Sequence, residues 1–358
     1  MPRPSPCWRS LSHQTTDEGK TALSLELIPA PSPSIAFFKA EEWGRLASQI
    51  SPATPFATWE WQSLWWGHFG QKEEWSAFEV CDPQGKIIGI APFYQDSKSG
   101  FLKFIGGEDL SDYLDILALQ GRESQVWQRA LEYLEGSPQR PRGLDLHCIP
   151  AHSPTLQVLP PLARGRGYQV RLEVEEVCPV LRLPESWEAY LSALSGKERH
   201  ELRRKMRRAE SMSPSLRFRQ CAEDECARQD IKSFILLHRK SRPEKEAFMN
   251  GQREAFFREL SHTFAQKGWL RLSVLERDRQ AVAAMLCFDF GETLYLYNSG
   301  FDPEFSSLSP GVVLIGYCLQ DAIARGKRWF DFMRGEEDYK YRLGGKDSAI
   351  YRVLVEKP

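Results

Sequence analysis

The same order of secondary-structure signals occurs twice in this chain. In the second half, "WLRLSVL", "AVAAMLCFDF" and "TLYLYNSGF" are β-rich runs separated by the short polar turns "ERDRQ" and "GE". That spacing predicts antiparallel hairpins. An apolar helix, "PGVVLIGYCLQDAIA", and a strand, "WFDFM", follow. In the first half, "WSAFEV", "IIGIAPFY", "FLKFIGG" and "YLDILAL" precede a helix, "SQVWQRALEYLEG", and a strand, "LDLHCI". Both units open on helical text, "WEWQSLWWGHF" and "FILLHRKS". Hairpin, further strand, helix, strand, twice over, predicts a duplicated α/β unit although the halves share little identity.

A chain of 358 residues, 42% of them hydrophobic, has material for two cores. The expected division is a disordered tail over 1–30, an N-terminal unit over 31–170 and a C-terminal unit over 171–358. The opening "MPRPSPCWRSLSHQTTDEGK" has no apolar stretch of the kind a secretory signal needs. No apolar run approaches the roughly 20 residues that span a bilayer, so no membrane span is expected. Lys and Arg number 47 against 48 Asp and Glu, a net charge of -1. That balance argues against attraction of the whole surface to nucleic acid or membrane, leaving only local patches.

The eight cysteines form no C-x-x-C pair, and several fall inside apolar runs. Reduced thiols in a cytoplasm are expected, rather than a zinc site or a disulfide framework. The seven histidines are scattered, without H-E-x-x-H. There is no G-x-S-x-G, no Walker loop and no G-x-G-x-x-G after a strand. Metal, triad and dinucleotide chemistries lose their usual signatures.

Two stretches concentrate chemistry. The first is "SSLSPGVVLIGYCLQDAIARGKRWFDF", where Ser309 reads as an N-cap, Pro310 as the first helical residue and Gly311 as part of the first turn. Val312, Ile315, Leu319 and Ile323 make an apolar stripe, and Gly326 stops the helix. A glycine there leaves free backbone N–H groups open to an anion, or is simply part of a well-capped core helix. The second is "SWEAYLSALSGKERHELRRKMRRAE". Leu191, Leu194, Leu202, Met206 and Ala209 share one helical face, while Lys197, Arg199, Arg203, Arg204, Lys205, Arg207 and Arg208 make the rest basic. Such a face suits a phosphate-bearing ligand or nucleic acid, or is a solvated surface paired with acids elsewhere.

The text "LYLYNSGFDPEFSSLSPGVVLIGYCLQDAIARGKRWFDFMRGEEDYKYRLG" resembles the C-terminal signature of the CelD/BcsL-type acetyltransferases. These belong to the GNAT superfamily and are relatives of the FemAB-type aminoacyltransferases. "DLSDYLDIL", "GKERHELRRKMRRAE" and "FILLHRKS" resemble that group as well. The resemblance implies an α/β (α+β) architecture of tandem GNAT-like domains, each a mixed, mostly antiparallel sheet flanked by helices. It implies acetyl-CoA or another acyl-CoA as donor, with no metal, and assigns the diphosphate seat to Ser309, Pro310 and Gly311. The match is partial, because the superfamily's loop carries more glycines and a basic residue. In the first half, Glu123 opens the corresponding helix after Gly121, and an acid there repels a diphosphate. A single donor site therefore belongs to the second half.

Amide formation from a thioester needs a deprotonated amine, a polarised carbonyl and a proton for the departing thiolate. "YKYRLG" resembles the superfamily's Tyr-containing helix start, which implies Tyr339 as general acid with Tyr341 in reserve. A phenol is protonated at neutral pH, as that role requires. For the base, Asp331, Glu336, Glu337 and His238 are candidates. Asp331 alternates with apolar neighbours on its strand, so it either faces a cleft or satisfies nearby backbone. His238 shares an apolar helix face with Ile231, Phe234 and Ile235, which also fits a half-buried structural role. Arg239, Arg334 and Lys340 are candidate anchors for an anionic acceptor or for coenzyme A phosphates, or else form surface salt bridges, and Asp112, Tyr113 and Asp115 line the acceptor cleft or serve the local turn and strand.

Three functions follow. The first is an acyltransferase acting on an amine or hydroxyl of a sugar, nucleotide sugar or small metabolite, in envelope polysaccharide work as the resembled group is. The second replaces the donor by aminoacyl-tRNA, with the basic helix on the RNA; under the first, no nucleic acid partner is expected. The third is a non-catalytic binding module on the same scaffold. Acceptor, acyl chain and oligomeric state are not legible.

Overall fold

A computed structural model describes residues 40–50, 53–212 and 215–357; the expected tail lies outside them. The chain runs α1 (Ala40–Ala47), α2 (Trp59–Phe69), β1 (Glu74–Trp75), β2 (Phe78–Cys81), β3 (Ile87–Ala91), β4 (Phe93–Gln95), β5 (Leu102–Phe104) and β6 (Leu117–Ala118). Next come α3 (Glu123–Gly136), β7 (Gly143–Pro150), α4 (Thr155–Gly165), β8 (Gln169–Val177) and β9 (Val180–Arg182). The second half begins with α5 (Trp187–Ala193), α6 (Gly196–Ser211), β10 (Arg217–Cys221), α7 (Asp224–Ser241), α8 (Pro243–Phe248) and α9 (Gly251–Gln266). It ends with β11 (Leu270–Arg277), β12 (Gln280–Phe290), β13 (Thr293–Phe301), α10 (Pro310–Ala324), β14 (Trp329–Asp331), α11 (Asp338–Arg342) and β15 (Ala349–Glu356).

These strands build two six-stranded sheets, β1-β4-β5-β7-β15-β8 and β10-β11-β12-β13-β14-β9, and a small third one, β2-β3-β6. Both large sheets are mostly antiparallel with one parallel pair, β5 with β7 and β13 with β14. The expected α/β architecture with duplicated sheet-and-helix units is present. The sheets do not divide at residue 170, however. Strand β8 (Gln169–Val177) stays in the first sheet, β9 opens the second by pairing with β14, and β15 returns from the end of the chain to lie between β7 and β8. The end of the chain thus completes the first sheet, and the halves cannot separate without breaking the β15 ladders.

Alternation along β12 explains the layering. Ala284, Leu286 and Phe288 face one core, and Ala283, Met285 and Cys287 the other. The first core is capped by α7, α9 and, from the other half of the chain, α2. Trp61 of α2 is fully buried among Phe256, Phe264, Phe288 and Tyr297. The second core takes α5, α6 and α10. The basic stretch read as one helix is two, because Ser195 caps α6 by accepting from the Glu198 N–H at 3.2 Å. Its stripe is as expected: Leu191, Leu194, Leu202, Met206 and Ala209 are all buried. In the first sheet, α3 and α4 cover one face. The other face carries a charged ribbon.

That ribbon makes a pH prediction. His147 lies 2.8 Å from Glu175 and 3.1 Å from Asp145, which also accepts from Arg352 at 2.7 Å. Burial opposes the imidazolium, yet the hydrogen bonds and charges of Asp145 and Glu175 win and push His147 up to about 9. A raised cation pKa stabilises fully below the unfolded value of about 6.5 and is lost as pH rises through the folded value. Denaturation midpoints should therefore fall between pH 6.5 and 9, and this component should be absent from His147→Gln.

One cysteine expectation is overturned. Cys221, at the end of β10, and Cys226, in the first turn of α7, form a disulfide. The spacing, five residues rather than C-x-x-C, gave no local signature; the pair meets because the chain turns from strand into helix between them. Cys148, Cys178, Cys287 and Cys318 are free thiols.

Candidate functional site at the mouth of the second sheet

Strand β13 pairs with β14 over three residues only, Thr293–Tyr295 against Trp329–Asp331. Beyond that the strands part, and β13 continues to Phe301 with β12 alone beside it. A register shift between Leu286 and Cys287 of β12 marks a bulge opposite Tyr297 and Asn298; bulges bend a strand and re-aim its groups. Because α10 carries the chain from the end of β13 back to the start of β14, its N-terminus stands at the same end. Ligands of parallel strands gather at that carboxyl end.

The first turn of α10 is open. Ser309 precedes the helix in a left-handed conformation, φ 52°, and its side chain caps nothing. The Val313 N–H is taken by the Ser309 carbonyl at 3.1 Å, and Pro310 has no N–H. Among the described residues no acceptor takes the N–H of Gly311 or Val312. A side chain at Gly311 would meet nothing within 4 Å. Two free donors at the positive end of a fifteen-residue helix and room for a group above them fit a diphosphate. Ser309, Pro310 and Gly311, nominated by the sequence, sit together there. Helix α6 lies alongside: Arg208 Nη1 donates to the Ser307 carbonyl at 3.4 Å. Arg204, Arg207, Arg208, Glu210 and Ser211 line a shallow groove of about 580 Å³. Gly316 is what lets the helices touch, since a Cβ there would come within 3.0 Å of Met206 Sδ.

Tyr339 begins α11 at this same end. It is largely buried against the second core, and burial, with Glu337 nearby, raises its phenol further. Tyr341, the reserve, is 37% exposed.

The other nominated residues have internal partners. Asp331 is buried; Oδ2 accepts from the Tyr113 hydroxyl at 2.8 Å and Oδ1 from the Met333 N–H at 2.8 Å. Burial pushes it up to about 7 against those hydrogen bonds. Arg334 bonds Asp112 at 3.1 Å and the carbonyls of Ser111 and Glu108 at 2.6 and 2.8 Å. Two of the expected acceptor residues, Asp112 and Tyr113, therefore do meet Arg334 and Asp331, but as the clasp joining the halves. Lys340 is buried and donates to the carbonyls of Met333, Arg334 and Gly335 at 2.9, 2.7 and 3.1 Å. It holds in place the loop, with Met333 at φ 60°, from which Arg334 reaches across. Arg239 is spent on the Met249 carbonyl and Glu254. His238 is buried, and burial, then Lys245, push it down to about 4, so it is neutral at pH 7. Asp115 accepts from Thr155 at 2.6 Å and from Ser153, anchoring the start of α4. Glu337 pairs with Lys340 at 2.9 Å.

Lys245 is the residue that sequence reasoning missed. In "SRPEKEAF" it reads as a surface lysine. In the fold α8 crosses the free edge of β13, and Lys245 Nζ donates to the Ser299 carbonyl at 2.5 Å. Burial, reinforced by Arg242, pushes its ammonium down to about 8. The preceding helix, α7, packs on the same strand closely enough to require Gly300, where a Cβ would fall 2.3 Å from the His238 nitrogen.

Residues 196–341, from α6 through Tyr341, match the family described as acetyltransferase (GNAT) domain. No curated protein matches the chain. Among solved structures, FemX is similar at 9% identity and a TM-score of 0.61, over 88% of this chain and 96% of that one. A conserved protein of unknown function from Bacteroides thetaiotaomicron gives 10% and 0.61, over 92% and 100%. L-PGS from Bacillus licheniformis gives 12% and 0.55, over 89% and 92%. At these identities the likeness is one of fold, along almost the whole chain. Residues 196–341 of this chain match a GNAT acetyltransferase domain, and that match supports an acyltransferase on a mixed α/β fold of sheets flanked by helices.

Proposed function

We propose that this protein transfers an acyl group from an acyl-CoA, acetyl-CoA among them, to an amine or hydroxyl of a sugar, nucleotide sugar or small metabolite. The open first turn of α10 carries the proposal. The N–H groups of Gly311 and Val312 and the Ser309 hydroxyl would hold the diphosphate, and the backbone of β13 beyond Tyr295 would accompany the pantetheine arm toward Tyr339. The donor supplies a thioester-activated acyl group. Tyr339 protonates the departing sulfur. Lys245 and Asp331, with pKa values near neutrality, are the groups suited to take the acceptor's proton, Lys245 at the strand edge and Asp331 behind Tyr113. The resemblance to CelD/BcsL-type proteins supports a sugar-linked acceptor in envelope polysaccharide synthesis.

The arginine groove on α6 favours a second reading, in which the donor is aminoacyl-tRNA as in the resembled FemAB-type enzymes. Thermal unfolding separates the two. Acetyl-CoA at a hundredfold over its Kd should stabilise the protein by about 2.7 kcal/mol. Binding of tRNA instead, weakening steeply with salt, favours the second reading. Neither response, with no acyl transfer in a broad acceptor screen, would leave a binding module.

A further inference from the structure

Strand β8 is the outermost strand of the first sheet, with β15 on one side and no strand on the other. It is nine residues long, "QVRLEVEEV", without proline, glycine or lysine; its charges alternate in sign at Arg171 and Glu173, and its one register shift against β15 lies at Glu175, beyond Val174. Its exposed apolar side chains are conspicuous. Leu172 is 44% and Val174 60% exposed, on the same side of the strand. The other side alternates charge, Arg171 then Glu173, and continues the ribbon of Asp145, His147, Glu175 and Arg352. Arg171 already reaches Glu356 of β15 at 2.8 Å.

We propose that two copies of this chain associate through β8, pairing antiparallel about a two-fold axis at Leu172. The charge pattern selects both the occupant and the register. Centred on Leu172, Arg171 of each copy faces Glu173 of the other, Leu172 faces Leu172, and Val170 faces Val174. Centred on Arg171 or on Glu173, a residue would face its own like charge across the axis; centred on Val174, Glu173 would face Glu175. Opposite charges directly across a ladder stabilise it and like charges destabilise it, so of these registers the one centred on Leu172 is favoured, pairing Arg171 with Glu173 on both sides of the axis. The addition unites the two first sheets into a continuous one of twelve strands. Within this stretch the edge is touched by Arg164, whose Nη2 lies 3.5 Å from the Val170 carbonyl, a weak contact that strand pairing replaces. The two α10 sites lie on the other sheet of each copy and are not part of the interface.

Light scattering and sedimentation equilibrium on the full chain test this. The wild type should be a dimer at high concentration and dissociate on dilution. Arg171→Glu places two like-charge pairs in the interface and should weaken the dimer about tenfold or more. The double variant R171E/E173R restores opposite charges and should recover the wild-type dissociation constant. Both variants lose the Arg171–Glu356 pair, so recovery reports the contact between copies. Leu172→Lys should give a monomer with an unchanged circular dichroism spectrum. A wild type that stays monomeric at every concentration overturns the proposal. So does a dimer indifferent to L172K, or a double variant no better than R171E.

Discussion

Replacing Tyr339 with phenylalanine is expected to slow thioester cleavage about a hundredfold or more, with the fold unchanged. The phenyl ring keeps its place against the second core, where Tyr339 is largely buried, so the variant removes a proton donor and little packing. Burial and the neighbouring Glu337 raise the phenol; it stays protonated through the neutral range and can supply the departing sulfur. Release of free thiol from acetyl-CoA reads this step without knowledge of the acceptor, because water can take the acetyl group in its place. The loss should appear in kcat with the donor's KM little changed, because the hydroxyl acts on the sulfur rather than on the diphosphate. Tyr341→Phe should have a small effect, since that side chain is 37% exposed. Full activity in Tyr339→Phe would remove the acid from this account.

Trp61→Ala carries the largest expected cost in stability, about 3–5 kcal/mol. Trp61 has no exposed surface. Its ring meets Phe56 at 4.7 Å, Phe256 and Tyr297 at 5.5 Å and Phe288 at 6.0 Å between centroids, and Nε1 donates to Ser111 at 2.8 Å. Truncation would leave a cavity and remove one partner of the Ser111 hydroxyl, which keeps its bond to the Gly106 carbonyl at 2.9 Å. Although Trp61 lies early in the chain, three of those rings belong to the second half, so the loss should be felt by the second sheet too. Urea unfolding of the wild type and the variant is expected to remain a single transition, because β15, from the end of the chain, is built into the first sheet. Trp329→Ala, at a site 38% exposed, should cost much less. Two separate transitions in the wild type would contradict the interlocked arrangement.

Local signals were legible where local physics decides. The three strands β11, β12 and β13 carry their own alternation and turns. Pro310 and Gly326 bracket α10 as expected, the latter at φ 73° with its N–H on the Ile323 carbonyl. The break between α5 and α6 was legible too but overlooked: Ser195 and Glu198 have capping-box spacing. The return of β15 to the first sheet was not legible, since its partners β7 and β8 lie about 180–200 residues earlier in the chain. The site divides the same way. Ser309, Pro310 and Gly311 announce a helix start, and a helix start exposes donors whatever surrounds it. The fate of Arg239, Arg334 and Lys340 depended on which carbonyls the loops would turn inward, and these cations hold loops together. Lys245 shows the converse. A lysine among glutamates reads as solvated until α8 is known to cross β13.

The central claim is that the amides at Gly311 receive the diphosphate of an acyl carrier. Calorimetric titration of coenzyme A into the wild type and into Gly311→Glu tests it most directly. The glutamate has space, as no atom lies within 4 Å of a Cβ there, so the fold should persist while a carboxylate occupies the seat. Binding by the wild type, weakened about tenfold or more in the variant, is the predicted result. Equal affinity in both proteins, or no binding by the wild type, would contradict it.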